Sequence, residues 1–335
     1  MAASVKDVAA LARVSVGTVS NVLNRPDKVS TATLERVQAA IDELGFVRND
    51  AARQLRDGRS RSIGLVVLDV RNPFFTDIAR GAESRAAESK LSVLLGNSDD
   101  DPSREANYLD LFEQQRVHGV LISPVGNPRD RLTRLRDHGI AAVLVDRPSD
   151  GADFSSVSVD DDAGGYMAVR HLLDTGRRRI AFIGGPATMR QVSDRLTGAT
   201  RAIAEHPGAT LEVVPTTALT VFEGRAAGES LRERVPDERP DAVFAANDLL
   251  AVGVLQALVM LGEVSVPDDI AIIGYDDIDF SSAAVVPLSS IRQPSELIGL
   301  RAVELLIAEV SGAGVTEQIV FQPELVVRDS TRPPA

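Results

Sequence analysis

Residues 4–24 read SVKDVAALARVSVGTVSNVLN, two short amphipathic helical patterns meeting at a tight turn. Ser15 is an N-cap residue type whose side chain can accept from the amide of Thr18. Val14 and Val19 fall at the two positions of a hydrophobic staple. Val8, Leu11 and Ala12 on the first helix face Val19, Val22 and Leu23 on the second. A pair this small cannot bury a core alone, so a third helix is required. The sequence supplies one: Ser30 stands as its cap, Val29 and Leu34 as a second staple, and Leu34, Val37, Ile41 and Leu44 recur at helical spacing. Gly45 suits the left-handed position that ends a helix, with Phe46 placed to return onto Ile41. Three helices joined this way make a helix-turn-helix head, which sets its second helix in a DNA major groove.

Outward from this head the composition narrows the class. The chain has 335 residues, no cysteine and no tryptophan, which excludes disulfides, thiolate catalysis and cysteine-based zinc sites. No signal-like leader and no apolar run near the roughly 18 residues of a membrane span are present, so a cytoplasmic protein without membrane contact is expected. The net charge is −12 but uneven. Residues 1–61 hold 10 Lys and Arg against 7 Asp and Glu, a net of +3; the remainder holds 26 against 41, a net of −15. A basic head on an acidic body confines DNA contact to one end. So small an excess points to two heads acting together.

The segment 49–58 has a capping residue at one end and Gly58 at the other, and reads as one or two helical turns. That is far below the roughly 12–15 residues at which isolated helices become marginal. Arg53, Arg56, Arg59 and Arg61 favour phosphate contact, although composition alone equally allows a polar linker. From Ser62 onward, apolar runs (Ile63–Val70, Ser92–Leu95, Gly119–Ser123, Ala141–Val145, Ile180–Gly184, Ala242–Ala246 and Ile270–Gly274) alternate with helical patterns at Phe75–Ser89, Ala163–Thr175 and Leu249–Leu261. Such alternation implies parallel sheets covered by helices on both faces. About 270 residues suffice for two sheets. No internal sequence repeat is visible.

The runs Asp7-Val8-Ala9, Val14-Ser15, Thr18-Val19-Ser20, Leu23-Asn24, Ala40-Ile41 and Leu44-Gly45-Phe46 closely resemble the head of the LacI/GalR family of bacterial transcription regulators. His171-Leu172-Leu173, Arg178 to Ile183, Asn247-Asp248, Ile273 to Asp277, Gln293-Pro294 and Val327-Arg328 continue the likeness over nearly the whole chain. Two positions depart from the family pattern. Arg13 replaces the usual turn glycine, at roughly 1–2 kcal/mol if the backbone there is left-handed. Arg48 replaces the proline before Asn49.

The resemblance implies a helix-turn-helix head over 1–48 and a hinge helix and linker over 49–61. It implies a two-lobed α/β effector domain like the periplasmic sugar-binding proteins, with lobes of 62–160 plus 291–320 and 161–290 plus 321–331. Val16, Gly17 and Asn21 would read base edges, Asn21 being able to bond adenine with two contacts. Ser15, Thr18, Ser20, Asn24 and Arg53 would hold phosphates, and Leu55 would wedge into the minor groove and kink the duplex.

Ligands of open α/β sheets sit at the carboxyl ends of strands, where Asn72-Pro73-Phe74-Phe75, Asp146-Arg147, Asn247-Asp248 and Tyr275-Asp276 fall. By resemblance Phe74 and Phe75 stack on the effector, while Asp146, Arg147, Arg195, Asn247, Asp276 and Gln293 hydrogen-bond to it. Phe222 is a further candidate wall. Aromatic faces with charged planar groups suit a sugar, and the Asp-Arg pair with two phenylalanines suits a ribose-type ring better than a purine. Each residue also has an ordinary reading: Asn72-Pro73 starts a helix, Asp276 caps a turn and Arg195 is a surface cation. The clusters Asp99–Asp101 and Asp160–Asp162 read as solvated helix caps rather than metal sites.

The reading is a homodimeric regulator, most simply a repressor, that binds a palindromic operator under control of a sugar-like effector and uses no metal or cofactor. A nucleobase, nucleoside or phosphorylated effector is the alternative. The body alone would also allow a sugar-transport protein. An enzyme is disfavoured because no phosphate loop, dinucleotide fingerprint or nucleophile elbow occurs.

Overall fold

The computed structural model describes residues 3–46, 60–151, 153–260, 264–312 and 314–332. Two units result, residues 1–60 and 61–335.

The head contains α1 (Val5–Leu11), α2 (Val16–Asn24) and α3 (Thr31–Leu44). Ser4 and Asp7 form a capping box on α1, the Ser4 amide donating to the Asp7 carboxylate at 2.8 Å. The Thr18 amide donates to Ser15 Oγ at 3.0 Å, so the predicted cap of α2 is made. Val8, Ala9, Ala12, Val19, Val22, Val37 and Ala40 form the core, edged by Val14, Leu34, Ile41 and Phe46. Gly45 adopts φ 57° and the Phe46 amide donates to the Ile41 carbonyl at 3.0 Å. Arg13 is left-handed at φ 52°. Two expectations fail here. Leu11 is exposed rather than part of the facing stripe. The Ser30 hydroxyl donates to Thr33 Oγ1 at 3.0 Å instead of capping the α3 backbone.

The second unit holds two six-stranded sheets. The first comprises β1 (Ser62–Val67), β2 (Ser92–Asn97), β3 (Gly119–Ile122), β4 (Ala141–Val145), β5 (Ser155–Val159) and β11 (Gln318–Phe321), in the order β11-β5-β4-β3-β1-β2, all parallel. The other comprises β6 (Arg179–Gly184), β7 (Thr210–Pro215), β8 (Ala242–Ala245), β9 (Ala271–Asp276), β10 (Ser289–Arg292) and β12 (Glu324–Val326), in the order β12-β10-β9-β8-β6-β7. Its pairs are parallel except β10 with β12.

The first sheet is covered by α4 (Pro73–Glu88), α5 (Pro102–Gln114), α6 (Arg129–Asp137) and α12 (Ser295–Ser311). The second carries α7 (Asp161–Asp174), α8 (Arg190–Ala204), α9 (Val221–Arg232), α10 (Asp248–Val259) and the short α11 (Asp279–Ser282). Helices α4 and α12 cross in close contact, since a Cβ at Gly81 would lie 2.0 Å from the Glu296 carbonyl and one at Gly299 2.0 Å from that of Ile78. Inner strands such as β1, β3, β4 and β9 are rich in Val, Ile, Leu and Ala because both faces are buried. Among the described residues no helix is long and apolar enough to cross a membrane.

Candidate functional site

The outer face of α2 carries Ser15, Val16, Gly17, Asn21 and Asn24, all exposed, while Thr18 and Ser20 are half-buried. Alternation with buried Val19 and Val22 gives one polar, small-residue face. Ser15 and Thr18 hydroxyls bond each other at 2.9 Å, and Asn24 Nδ2 donates to the Ser20 carbonyl at 2.8 Å. These side chains are thus oriented along the helix by their own neighbours. Arg53 and Leu55 lie outside the described residues.

In the second unit the candidate residues converge where the carboxyl ends of the two sheets meet. Both sheets share the order 2-1-3-4-5 in their own numbering, whose crevice opens beside the first strand. Asn72 follows β1 and caps α4, its Oδ1 accepting from the Phe74 amide at 3.1 Å. Its Nδ2 donates across to Asp276 Oδ2 at 2.9 Å, at the end of β9. Gln293, just after β10, donates to Asp276 Oδ1 at 2.8 Å. On the facing side, Gln191 in the first turn of α8 donates from Nε2 to both Asp146 Oδ2 and the Asp146 carbonyl at 2.9 Å. Asp146 and Asp276 are both left-handed, at φ 58° and 104°, and both buried.

Arg195 is the buried cation of this cluster, not a surface one. Its Nε donates to Asp161 Oδ1 at 2.7 Å and its Nη1 to the Ala246 carbonyl at 2.7 Å. Its guanidinium stacks 3.6 Å from the Tyr275 ring centre. Burial works against its charge, but Asp161, Tyr275, Asp276 and Asp146 outweigh that and hold its pKa above the ordinary arginine value. Asp161 is therefore no solvated cap. Asp160 makes the cap, accepting from the Ala163 amide at 2.9 Å, and leaves its neighbour for the ion pair.

Burial, aided by Asp161, pushes the Asp146 carboxyl up to about 8. Asp276 rises only to about 6, because Arg195, Asn72 and Gln293 oppose the effect of burial. Among the described residues Asp146 Oδ1 and Gln293 Oε1 are buried with no hydrogen-bond partner. The Gln293 oxygen is open to an O–H or N–H donor, and the Asp146 oxygen to a donor when ionised or to an acceptor when protonated.

Phe74 and Phe75 are buried as an edge-to-face pair with centres 5.1 Å apart. A cavity of about 320 Å³ lies between the sheets, lined by Leu68, Asp100, Val125, Arg147, Met189 and Gln191. That is the lower end of the range typical of small-molecule sites. The Arg147 guanidinium donates to the Gly126 carbonyl, and burial together with Arg190 lowers its pKa.

Two candidates stand differently. Asn247 caps α10, accepting from the Leu250 amide at 3.0 Å and donating to the Leu219 carbonyl at 3.3 Å. Phe222 is 83% exposed, unlike the rest of the set. Gln191 and Asp161 escape a reading of the sequence. Gln191 carries the signal of lying in the first turn after β6, as Asn72 lies after β1. Asp161 is hidden in a run of three aspartates. Among the described residues no cluster of three or more His, Asp or Glu side chains could hold a metal.

Known proteins share both halves of this arrangement. Residues 4–49 match the family described as bacterial regulatory proteins, lacI family, and residues 169–331 match the periplasmic binding protein-like domain. The chain is 35% identical to the ribose operon repressor of Bacillus subtilis (strain 168), covering 98% of this chain and 99% of that protein. It is 32% identical to the HTH-type transcriptional repressor PurR of Photobacterium profundum, with coverage of 98% and 99%. The crystal structure of the lac repressor dimer bound to operator and the anti-inducer ONPF superposes with a TM-score of 0.85 at 27% identity, covering 99% of each chain.

Proposed function

The chain belongs to the lacI family of bacterial regulatory proteins, and from that membership we propose a sugar-responsive repressor that binds its operator as a homodimer. It is a DNA-binding transcription regulator under small-molecule control, not an enzyme. The finer reading assigns 1–48 to the head, 49–61 to the hinge, 62–160 with 291–320 to one lobe, and 161–290 with 321–331 to the other. Two recognition helices, one from each subunit, would occupy successive major grooves about 34–36 Å apart. Val16, Gly17 and Asn21 read bases, Ser15, Thr18, Ser20, Asn24 and Arg53 hold phosphates, and Leu55 wedges the minor groove.

The observation that carries the effector assignment is the facing pair Asp146 and Asp276, each buried at a strand end and each bonded by an amide from the opposite sheet. Two carboxyls with unfilled acceptors nearby match the hydroxyl rim of a sugar, and Phe74 and Phe75 supply an apolar wall. Arg147 and Arg195 complete the polar set, with Asn247 and Phe222 at its edge. D-Ribose is the first candidate, given the 35% identity to a ribose operon repressor. Similarity to PurR supports a nucleobase or nucleoside as the second. Effector binding changes lobe closure and with it operator affinity, by 5–150-fold for a coupling of about 1–3 kcal/mol.

Thermal melts with D-ribose, other monosaccharides, their phosphates and hypoxanthine decide the effector, since a bound ligand raises the melting temperature. A shift with D-ribose is expected. A shift with hypoxanthine and none with any sugar would reverse the assignment. In gel-shift titrations Leu55→Ala is expected to weaken operator binding without changing effector affinity; equal operator affinity removes the wedge.

A further inference from the structure

We propose that Asp248 is a positioning residue of the cleft: one buried carboxyl clamps both peptide units that follow Asp276 and so aims the Asp276 carboxylate at the effector. The inference rests on the cleft assignment above. Asp248 opens α10 and is wholly buried. Its Oδ2 accepts from the Ile278 amide at 2.9 Å and from Ser281 Oγ at 2.6 Å, and its Oδ1 accepts from Ser290 Oγ at 2.7 Å. The Ser290 hydroxyl in turn accepts from the Asp277 amide at 3.0 Å. The amides of Asp277 and Ile278 are thereby both tied to Asp248, one through a hydroxyl and one directly.

The backbone held this way is unfavourable by itself. Asp276 lies at φ 104° and Asp277 at φ 54°, regions that side-chain-bearing residues seldom occupy. Such conformations persist only where their surroundings over-determine them. Strand β9 also leaves space for the clamp, since a Cβ at Gly274 would fall 2.0 Å from Asp248 Oδ1. Burial and the nearby Asp276 charge raise the Asp248 carboxyl to about 8, opposed by the three donors. What the clamp fixes is a carboxylate whose two oxygens already meet Asn72 and Gln293. A small rotation of the 276–278 turn would misdirect both contacts.

The test uses the full chain and two variants, Asp248→Asn, which keeps the shape, and Gly274→Ala, which displaces the carboxyl without altering it. Hydrogen exchange in peptides spanning 276–280 is compared with exchange in β8, and D-ribose affinity is measured by calorimetry. Exchange at the 277 and 278 amides should rise at least about tenfold and the ribose Kd about tenfold, as for loss of one strong hydrogen bond. Strand β8 should keep its parent protection, which a general loss of stability would not spare. Unchanged exchange at 277 and 278 in both variants overturns the proposal, as does parental ribose affinity despite the exposed amides. Should the parent itself bind no D-ribose, the sugar assignment fails on that result and the exchange arm alone decides the clamp.

Discussion

The two lobes repeat one plan with different chemistry. In each sheet the helix after the first strand sends an amide across to an aspartate after or at the end of the other sheet's fourth strand. Asn72, after β1, bonds Asp276 of β9; Gln191, after β6, bonds Asp146 after β4. No sequence repeat announces this exchange, because one lobe uses Asn as a cap and the other uses Gln one residue into a helix. The carboxyls are equally buried yet differ in supply. Asp276 has donors on both oxygens, whereas Asp146 Oδ1 has none. Their pKa values separate to about 6 and about 8. Burial alone does not set the charge of a site: the Arg195 charge and the donors on both oxygens hold Asp276 down, whereas the Asp161 charge pushes Asp146 further up.

A second difference is the ion pair. Asp161 and Arg195 lie buried within the second lobe, while the corresponding turn of α4 in the first presents Phe74, Phe75 and Ile78. Arg195→Ala should therefore have the largest effect. Removing one partner of a buried pair strands the other charge, at about 3–5 kcal/mol. Urea unfolding should show that loss, together with loss of ribose-induced stabilisation. A variant as stable as the parent would show that water, and not Arg195, compensates Asp161.

The two cross-lobe amides can be compared directly. Asn72→Ala removes a bond to a largely ionised carboxylate, worth about 1.5–3 kcal/mol, and a helix cap worth about 1 kcal/mol. Gln191→Ala removes one bond to a carboxyl that is mostly protonated at neutral pH and one to a backbone carbonyl, nearer to about 1 kcal/mol each. Ribose affinity at pH 7 should fall more in Asn72→Ala than in Gln191→Ala. Equal losses would mean that the two carboxyls carry the same charge.

The pH dependence tests that charge directly. The Asp146 pKa is raised on folding, so the folded chain holds the proton more tightly than the unfolded one. Its contribution to stability is full below about 4, the ordinary aspartate value, and is lost as pH rises through about 8. Asp146→Asn should flatten the fall in stability between pH 5 and pH 9 in denaturant titrations run across that range. Asp248, raised likewise to about 8, leaves a residual slope. An undiminished slope in the variant would place the titration elsewhere.

How much of this is legible in the sequence follows from where the bonds run. The head can be read because its determinants are local: Ser15 caps Thr18 three residues on, and Gly45 ends α3. Misreadings there are also local choices between near-equivalent partners, as when Ser30 selects Thr33. Strands such as β1 and β4 are visible as apolar runs. Strand β5, Ser-Ser-Val-Ser-Val, is not. All five of its residues are buried, and Ser155 is satisfied by Glu309 and by the Glu317 amide, more than 150 residues away. The candidate cleft residues are placed by resemblance and by their position at strand ends. Of their partners, Gln191 is marked by nothing but its place in the first turn after β6, and Asp161 is masked by the aspartates on either side of it.

The outer turns of the two lobes also differ in backbone. The first lobe turns out of α4 and α5 through left-handed Lys90 (φ 57°) and Arg116 (φ 48°), whereas the second uses Gly176 and Gly208 after α7 and α8. A left-handed side-chain-bearing residue costs roughly 1–2 kcal/mol, and glycine returns roughly 0.4–1 kcal/mol of that through the freedom of the unfolded chain. Lys90→Gly and Arg116→Gly should each stabilise the protein by up to about 1 kcal/mol, seen as a raised denaturation midpoint with an unchanged slope. Neither residue lines the cleft, so ribose affinity should stay at the parent value. The same relief at Asp146 or Asp276 would remove a carboxyl from the cleft. Left-handed strain in the first lobe's outer turns is thus expendable, while at the two aspartates it is the geometry that delivers each side chain to the opposite sheet.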